Sequence, residues 1–255
     1  MKKFLCLALC MVMLLSTIAL SACNNFYTGD EIATQEDKQK LQDFCLSFKE
    51  SKMPKIRQDM SLVYTNNANP QSSFVMEGYY LATRTEDSMV EYYKINYVSQ
   101  SATFTVQAWR SGFDFYFVEE YQFGDSPRAK NTFCQKTTDF GYTFDMSAVS
   151  VNFSNLSAIS FFGKLVNHQL YGKNNKYYVV QQYLEIPLIY QINVSQNSYT
   201  SQRLVAYTCQ DFSVMSREIL KKTTQTARMP NVNNVAEGRL NAKVLDVLLK
   251  ASANA

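Results

Sequence analysis

Between Met60 and Phe123 the chain alternates apolar and polar residues with a period of two. Phe113, Phe115 and Phe117 fall on one face, opposite Asp114, Tyr116 and Val118; Phe104, Val106 and Ala108 oppose Thr103, Thr105 and Gln107. Successive side chains of a strand point to opposite faces, so these rows mark a half-buried sheet. The pattern predicts strands over Met60–Thr65, Phe74–Arg84, Met89–Val98, Thr103–Arg110 and Phe113–Phe123. Turn-formers separate them, including Ser111-Gly112, which reads as a tight hairpin connection. Connections this short make neighbours antiparallel and the block a meander.

Further on the alternation is broken. Gly124 to Asn131 reads as a polar loop, and Phe133 to Phe153 as two short strands around Gly141. Ser154 or Asn155 is placed to cap a helix reaching Asn167, with Leu156, Ile159, Phe162 and Val166 along one side. Strands return over Tyr177–Ile186, Leu188–Val194, Arg203–Cys209 and Phe212–Ile219. A polar stretch, Thr223 to Asn234, precedes a closing helix marked by Leu240, Val244 and Leu248. Upstream, Leu41, Phe44, Cys45 and Phe48 recur at three- and four-residue spacings within Gln35–Lys52, an amphipathic helix ended by Pro54. The expected fold is therefore α+β and β-dominated: one antiparallel domain over residues 35–255 with N-terminal, mid-chain and C-terminal helices.

The first 22 residues have another character. Lys2 and Lys3 precede an apolar run from Phe4 to Leu15, the layout of a secretory signal. Leu20-Ser21-Ala22-Cys23 resembles the lipobox of bacterial lipoproteins. That resemblance implies cleavage between Ala22 and Cys23, with Cys23 carrying diacylglycerol and a fatty acyl group such as palmitate. Residues 23–34 then form the lipidated N-terminus and a polar tether. The expected location is the extracytoplasmic face of the cell membrane, held by lipid. Asn24 lacks the aspartate of an inner-membrane retention signal, which leaves the outer membrane open where a host has one.

Charge and chemistry narrow the function by exclusion. Without Lys2 and Lys3 the remaining 23 basic residues face 22 acidic ones, so no basic excess draws the domain to nucleic acid. The single histidine, His168, has no identifiable partner; no spacing resembles a metal site, a phosphate-binding glycine loop or an activated serine. Glu119 and Glu120 are adjacent, point to opposite faces and read as the polar end of a strand. Cys45, Cys134 and Cys209 remain after the signal, either as one bridge and a free thiol or, preferably, as three separate thiols. No catalytic constellation, metal or dissociable cofactor is expected.

The element order resembles the half-barrel of LolA/LppX-like lipid and lipoprotein carriers, in which a curved antiparallel sheet wraps around helices and encloses an apolar cavity. No signature residues accompany the likeness. It implies a hydrophobic or amphiphilic ligand, and the aromatic rows nominate Phe74, Met76, Phe104, Val106, Phe113, Phe115 and Phe117 as cavity lining. The alternative is an interaction or scaffold domain for another envelope protein, using exposed tyrosines such as Tyr79, Tyr80, Tyr92 and Tyr93.

Overall fold

A computed structural model describes residues 34–36, 39, 55–85, 87–137, 143–154, 170–173, 176–183, 186–195, 198–205 and 212–253; for 151–205 the description is of the backbone. The signal, the lipobox, Cys45, the helix expected over 155–167, His168 and Cys209 lie outside these residues. So does most of the helix expected over Gln35–Lys52, although Gln35, Glu36 and Gln39 are helical.

Eleven strands form one antiparallel sheet: β1 (Lys55–Asn66), β2 (Phe74–Arg84), β3 (Met89–Ser99), β4 (Ala102–Ser111), β5 (Asp114–Phe123), β6 (Ala129–Lys136), β7 (Leu170–Lys173), β8 (Lys176–Tyr183), β9 (Ile186–Ser195), β10 (Ser198–Val205) and β11 (Phe212–Lys222). Their order is β6-β5-β4-β3-β2-β1-β11-β10-β9-β8-β7. The sheet is thus two meanders joined where the first strand meets the last, at the pairing of β1 with β11. It is an open, curved half-barrel with helices on one face, as the alternation and the resemblance predicted.

β2 and β3 approach each other closely at Gly78. A Cβ there would collide with the carbonyl oxygen of Lys94 on β3, so only glycine lets the two backbones approach this closely. The outer side of the β1–β11 seam is tied by charge. Arg57 Nε donates to Asp59 Oδ1 at 2.7 Å and Lys221 Nζ lies 2.8 Å from Asp59 Oδ2. Burial opposes ionisation of Asp59, but the hydrogen bonds from Arg57 and Lys221 overcome it and hold its carboxyl below the ordinary range.

Two predictions fail between β5 and β7. The segment read as a loop followed by two strands holds β6, beginning at Ala129, and then helix α1 (Phe144–Ser154). Its residues Met146, Ala148 and Val149 are buried at helical spacing, whereas a strand would bury every second residue. The closing helix, α2 (Ala242–Ala253), buries Val244, Leu248 and Ala251 and packs against α1.

Between β11 and α2 the chain forms a strap. On the outer face Arg57 Nη1 donates to Gln225 Oε1 at 2.6 Å, and the Ala227 N–H donates to Thr83 Oγ1 at 2.8 Å. Ala227 packs with Leu81, Tyr92, Tyr79 and Trp109. At the free edge of β6, the Cys134 N–H donates to Ala236 O and the Gly238 N–H to Cys134 O. The strap so covers an edge that would otherwise expose unpaired amides, and delivers α2 to the inner face.

Candidate functional site

The register defines the inner face. Leu62 pairs with Met76, Met76 with Tyr97, Tyr97 with Phe104 and Phe104 with Tyr121, which sets one row across five strands. Six of the seven residues nominated from sequence, Phe74, Met76, Phe104, Val106, Phe115 and Phe117, are buried on this face in one cluster. Phe113 is not among them. The hairpin turns at Gly112-Phe113, one residue later than predicted, with Gly112 at φ 57°. Phe113 therefore sits in the turn, 46% exposed, rather than in the strand.

The nominated side chains do not line an empty space in this wing. They pack with Met146 and Val149 of α1, with Val244, Leu248 and Ala251 of α2, and with Leu240. Around them, rings stack across five strands. Centroid distances are 6.1 Å for Phe212–Tyr64, 5.2 Å for Tyr64–Phe74, 5.2 Å for Phe74–Tyr97 and 4.7 Å for Tyr97–Phe104. Tyr64, Tyr97 and Phe212 were missed as site residues. Their signal was present, since Tyr64 keeps the phase of Met60 and Leu62, and Tyr97 that of Tyr93 and Ile95.

Polar groups enter the same face at three places. Near its upper end Glu91 accepts from Tyr80 Oη at 3.0 Å, Tyr93 Oη at 3.1 Å and Arg110 Nη1 at 3.1 Å. At the seam Gln58, Ser216 and Glu218 are buried beside Met60, Leu62 and Leu220. Under the strap lie Glu119 and Asp145.

Glu119 corrects a sequence reading: it is fully buried, in phase with Phe115 and Phe117, and not the polar end of a strand. It accepts from Asn131 Nδ2 at 3.0 Å and from the Asn241 N–H, while Asp145 accepts from the Leu240 N–H at 2.6 Å and Gln135 Nε2 at 2.9 Å. Burial pushes both carboxyls above their ordinary values, each set of hydrogen bonds pulls back, and proximity to Asp145 raises Glu119 further. The pair anchors the strap. An open groove of about 360 Å³ lies beside it, lined by Tyr121, Phe123, Ser126, Pro127, Asn241, Ala242 and Lys243.

The tyrosines nominated for an interface are divided. Tyr92 and Tyr93 are buried and Tyr79 and Tyr80 partly so, because the strap covers one pair and the inner face takes the other. Cys134 is a free thiol whose Sγ donates to Val235 O at 3.2 Å. Among the described residues no three His, Cys, Asp or Glu side chains are gathered to hold a metal, and no helix is long and apolar enough to cross a membrane.

No known protein family matches the chain, and neither does any curated protein. Solved structures are similar at a low level, two of them as follows. One is the S-type phycobiliprotein lyase of Guillardia theta, at TM-score 0.27 and 6% identity, covering 73% of this chain and 98% of that one. The other is a DUF1329 family protein of Desulfovibrio piger, at TM-score 0.21 and 8% identity, covering 76% of this chain and 95% of that one. Scores at this level assign no family, and the functional reading rests on the chain's own geometry.

Proposed function

We propose that this chain is a lipid-anchored, non-catalytic binding protein of the bacterial cell envelope, holding a hydrophobic or amphiphilic ligand against the inner face of its half-barrel. One observation carries the reading: the inner face offers more apolar width than its described helices cover. The seven strands whose side chains are described, β6 to β1 and β11, span roughly 30 Å along the arc at about 4.8 Å spacing. Two helices of 11 and 12 residues lying side by side cover roughly 20 Å. The rings of Phe212 and Tyr64, partly buried at the margin of the packed cluster, lie on that face and suit acyl chains. Diacylglycerol on Cys23 would keep the domain at the lipid source; a single chain binds a membrane only marginally, and two hold it.

The test is displacement of a fluorescent fatty acyl probe from the mature domain by unlabelled lipid. Saturable uptake supports the proposal, and its absence at micromolar protein contradicts it.

A second reading is favoured by the outer face. Met215 pairs with Val63, Val63 with Val75 and Val75 with Val98, an apolar row across four strands whose Val98 is 52% exposed. Such a row suits docking of another envelope protein. Capture of one specific envelope protein, abolished by Val75→Asp and Val98→Asp without loss of lipid uptake, would give this face a role of its own.

A further inference from the structure

The centre of the inner face is not apolar. β1 and β11 are the middle strands of the sheet, and their facing positions alternate: Gln58 pairs with Leu220, Met60 with Glu218 and Leu62 with Ser216. All six are buried; Gln58 is 5%, Ser216 8% and Glu218 2% exposed. Each pair sets one polar side chain beside one apolar one, so three hydrogen-bonding groups lie along three successive inward-facing pairs. Gln58 Nε2 has no hydrogen-bond partner among the described residues. A buried amide donor left in that state is costly, and an aliphatic residue of similar size would remove the cost.

Resting on the carrier reading above, the geometry points to this seam as the seat of the ligand's polar group, and to a neutral ester- and hydroxyl-bearing acyl lipid, of the monoacylglycerol class, as the ligand. The Gln58 amide donates to the ester carbonyl, while Glu218 and Ser216 accept from glycerol hydroxyls. A free fatty acid is disfavoured, because its carboxylate would be buried beside the carboxyl of Glu218. The acyl chain leaves the seam towards the partly buried rings of Tyr64 and Phe212, which stack across β1 and β11 on the same face. Polar recognition at the centre and apolar burial on the flanks divide specificity from affinity.

Three probes of matched chain length separate these roles in the mature domain: monoolein, oleate and 1-O-oleylglycerol, an ether lacking the carbonyl. Wild type is expected to hold monoolein about tenfold more tightly than either competitor, the scale of one good hydrogen bond. Gln58→Leu should erase the preference over the ether and leave ether binding unchanged, while its ligand-free melting temperature rises. Glu218→Gln should erase the preference over oleate. Gln58→Met repeats the first test should the leucine variant fold poorly. Equal binding of the three probes by wild type, or a uniform weakening of all three in the Gln58 variants, would overturn the assignment and leave the carrier reading standing. Binding of none would sink that reading as well.

Discussion

The backbone N–H of Asn241 donates to both carboxylate oxygens of Glu119 at 3.0 Å, across 122 residues of sequence. Asn241 is also the N-cap of α2, its Oδ1 accepting from the Lys243 N–H at 2.9 Å. One buried side chain on β5 thereby fixes where the last helix begins and closes the strap around β6.

Removing that acceptor should loosen the end of the chain first. Glu119→Ala strands the Asn241 N–H and the Asn131 amide, and is expected to cost about 2–4 kcal/mol. Amide exchange should accelerate through residues 236–253 ahead of β2 to β4. Uniform exchange across the domain would show that the clasp is only one contact among many.

The same pair gives the protein an acid-favouring contribution. Burial raises both carboxyls in the folded state, so the stability they confer is complete below the unfolded value of about 4 and declines as pH rises through their raised folded values. Glu119→Gln combined with Asp145→Asn should flatten that decline in melting temperature above pH 4. An unchanged pH profile would contradict the account.

Asp59 works in the opposite sense. Arg57 and Lys221 hold its carboxyl low, so its contribution is present above the unfolded value and disappears as pH falls through the folded one. Asp59→Asn is expected to cost about 1 kcal/mol at neutral pH, typical of a partly exposed pair, and nothing in strong acid. Denaturant titrations at the two pH values check it.

Gly78 and Phe113 make a contrasting pair. Gly78→Ala drives a methyl group into the Lys94 carbonyl and should cost about 3 kcal/mol or more, through displaced backbone. Phe113→Ser, at an exposed turn position, should change stability by less than about 0.5 kcal/mol. Phe104→Ala, buried among stacked rings, is expected to cost about 3–5 kcal/mol.

Most of the architecture was legible in the alternation. The predicted span of β2 matches the structure, and β3 to β5 differ by one residue at most at each end, because each strand buries one face and is bounded by turn residues. α1 reads as strand because Phe144 to Phe153 interleaves apolar and polar residues, with a single change of phase at Ala148-Val149 that a helix accommodates. Glu119 was misjudged for a related reason: a carboxylate in phase with a core row is indistinguishable from a strand end until its donors, at Asn131 and Asn241, are brought to it by folding. Phe113 followed the row in sequence but left it in space because the turn moved by one residue. The seam was invisible for another reason, since Gln58 and Glu218 become neighbours only when the first and last strands pair.

The most direct test of the central claim is native mass spectrometry of the chain purified gently from its own host's membranes. The account predicts a population carrying one additional acyl lipid besides the covalent anchor, exchangeable for added monoolein and retained by Gln58→Leu without its preference for ester over ether. A bare chain, together with no uptake of added lipid, would contradict it.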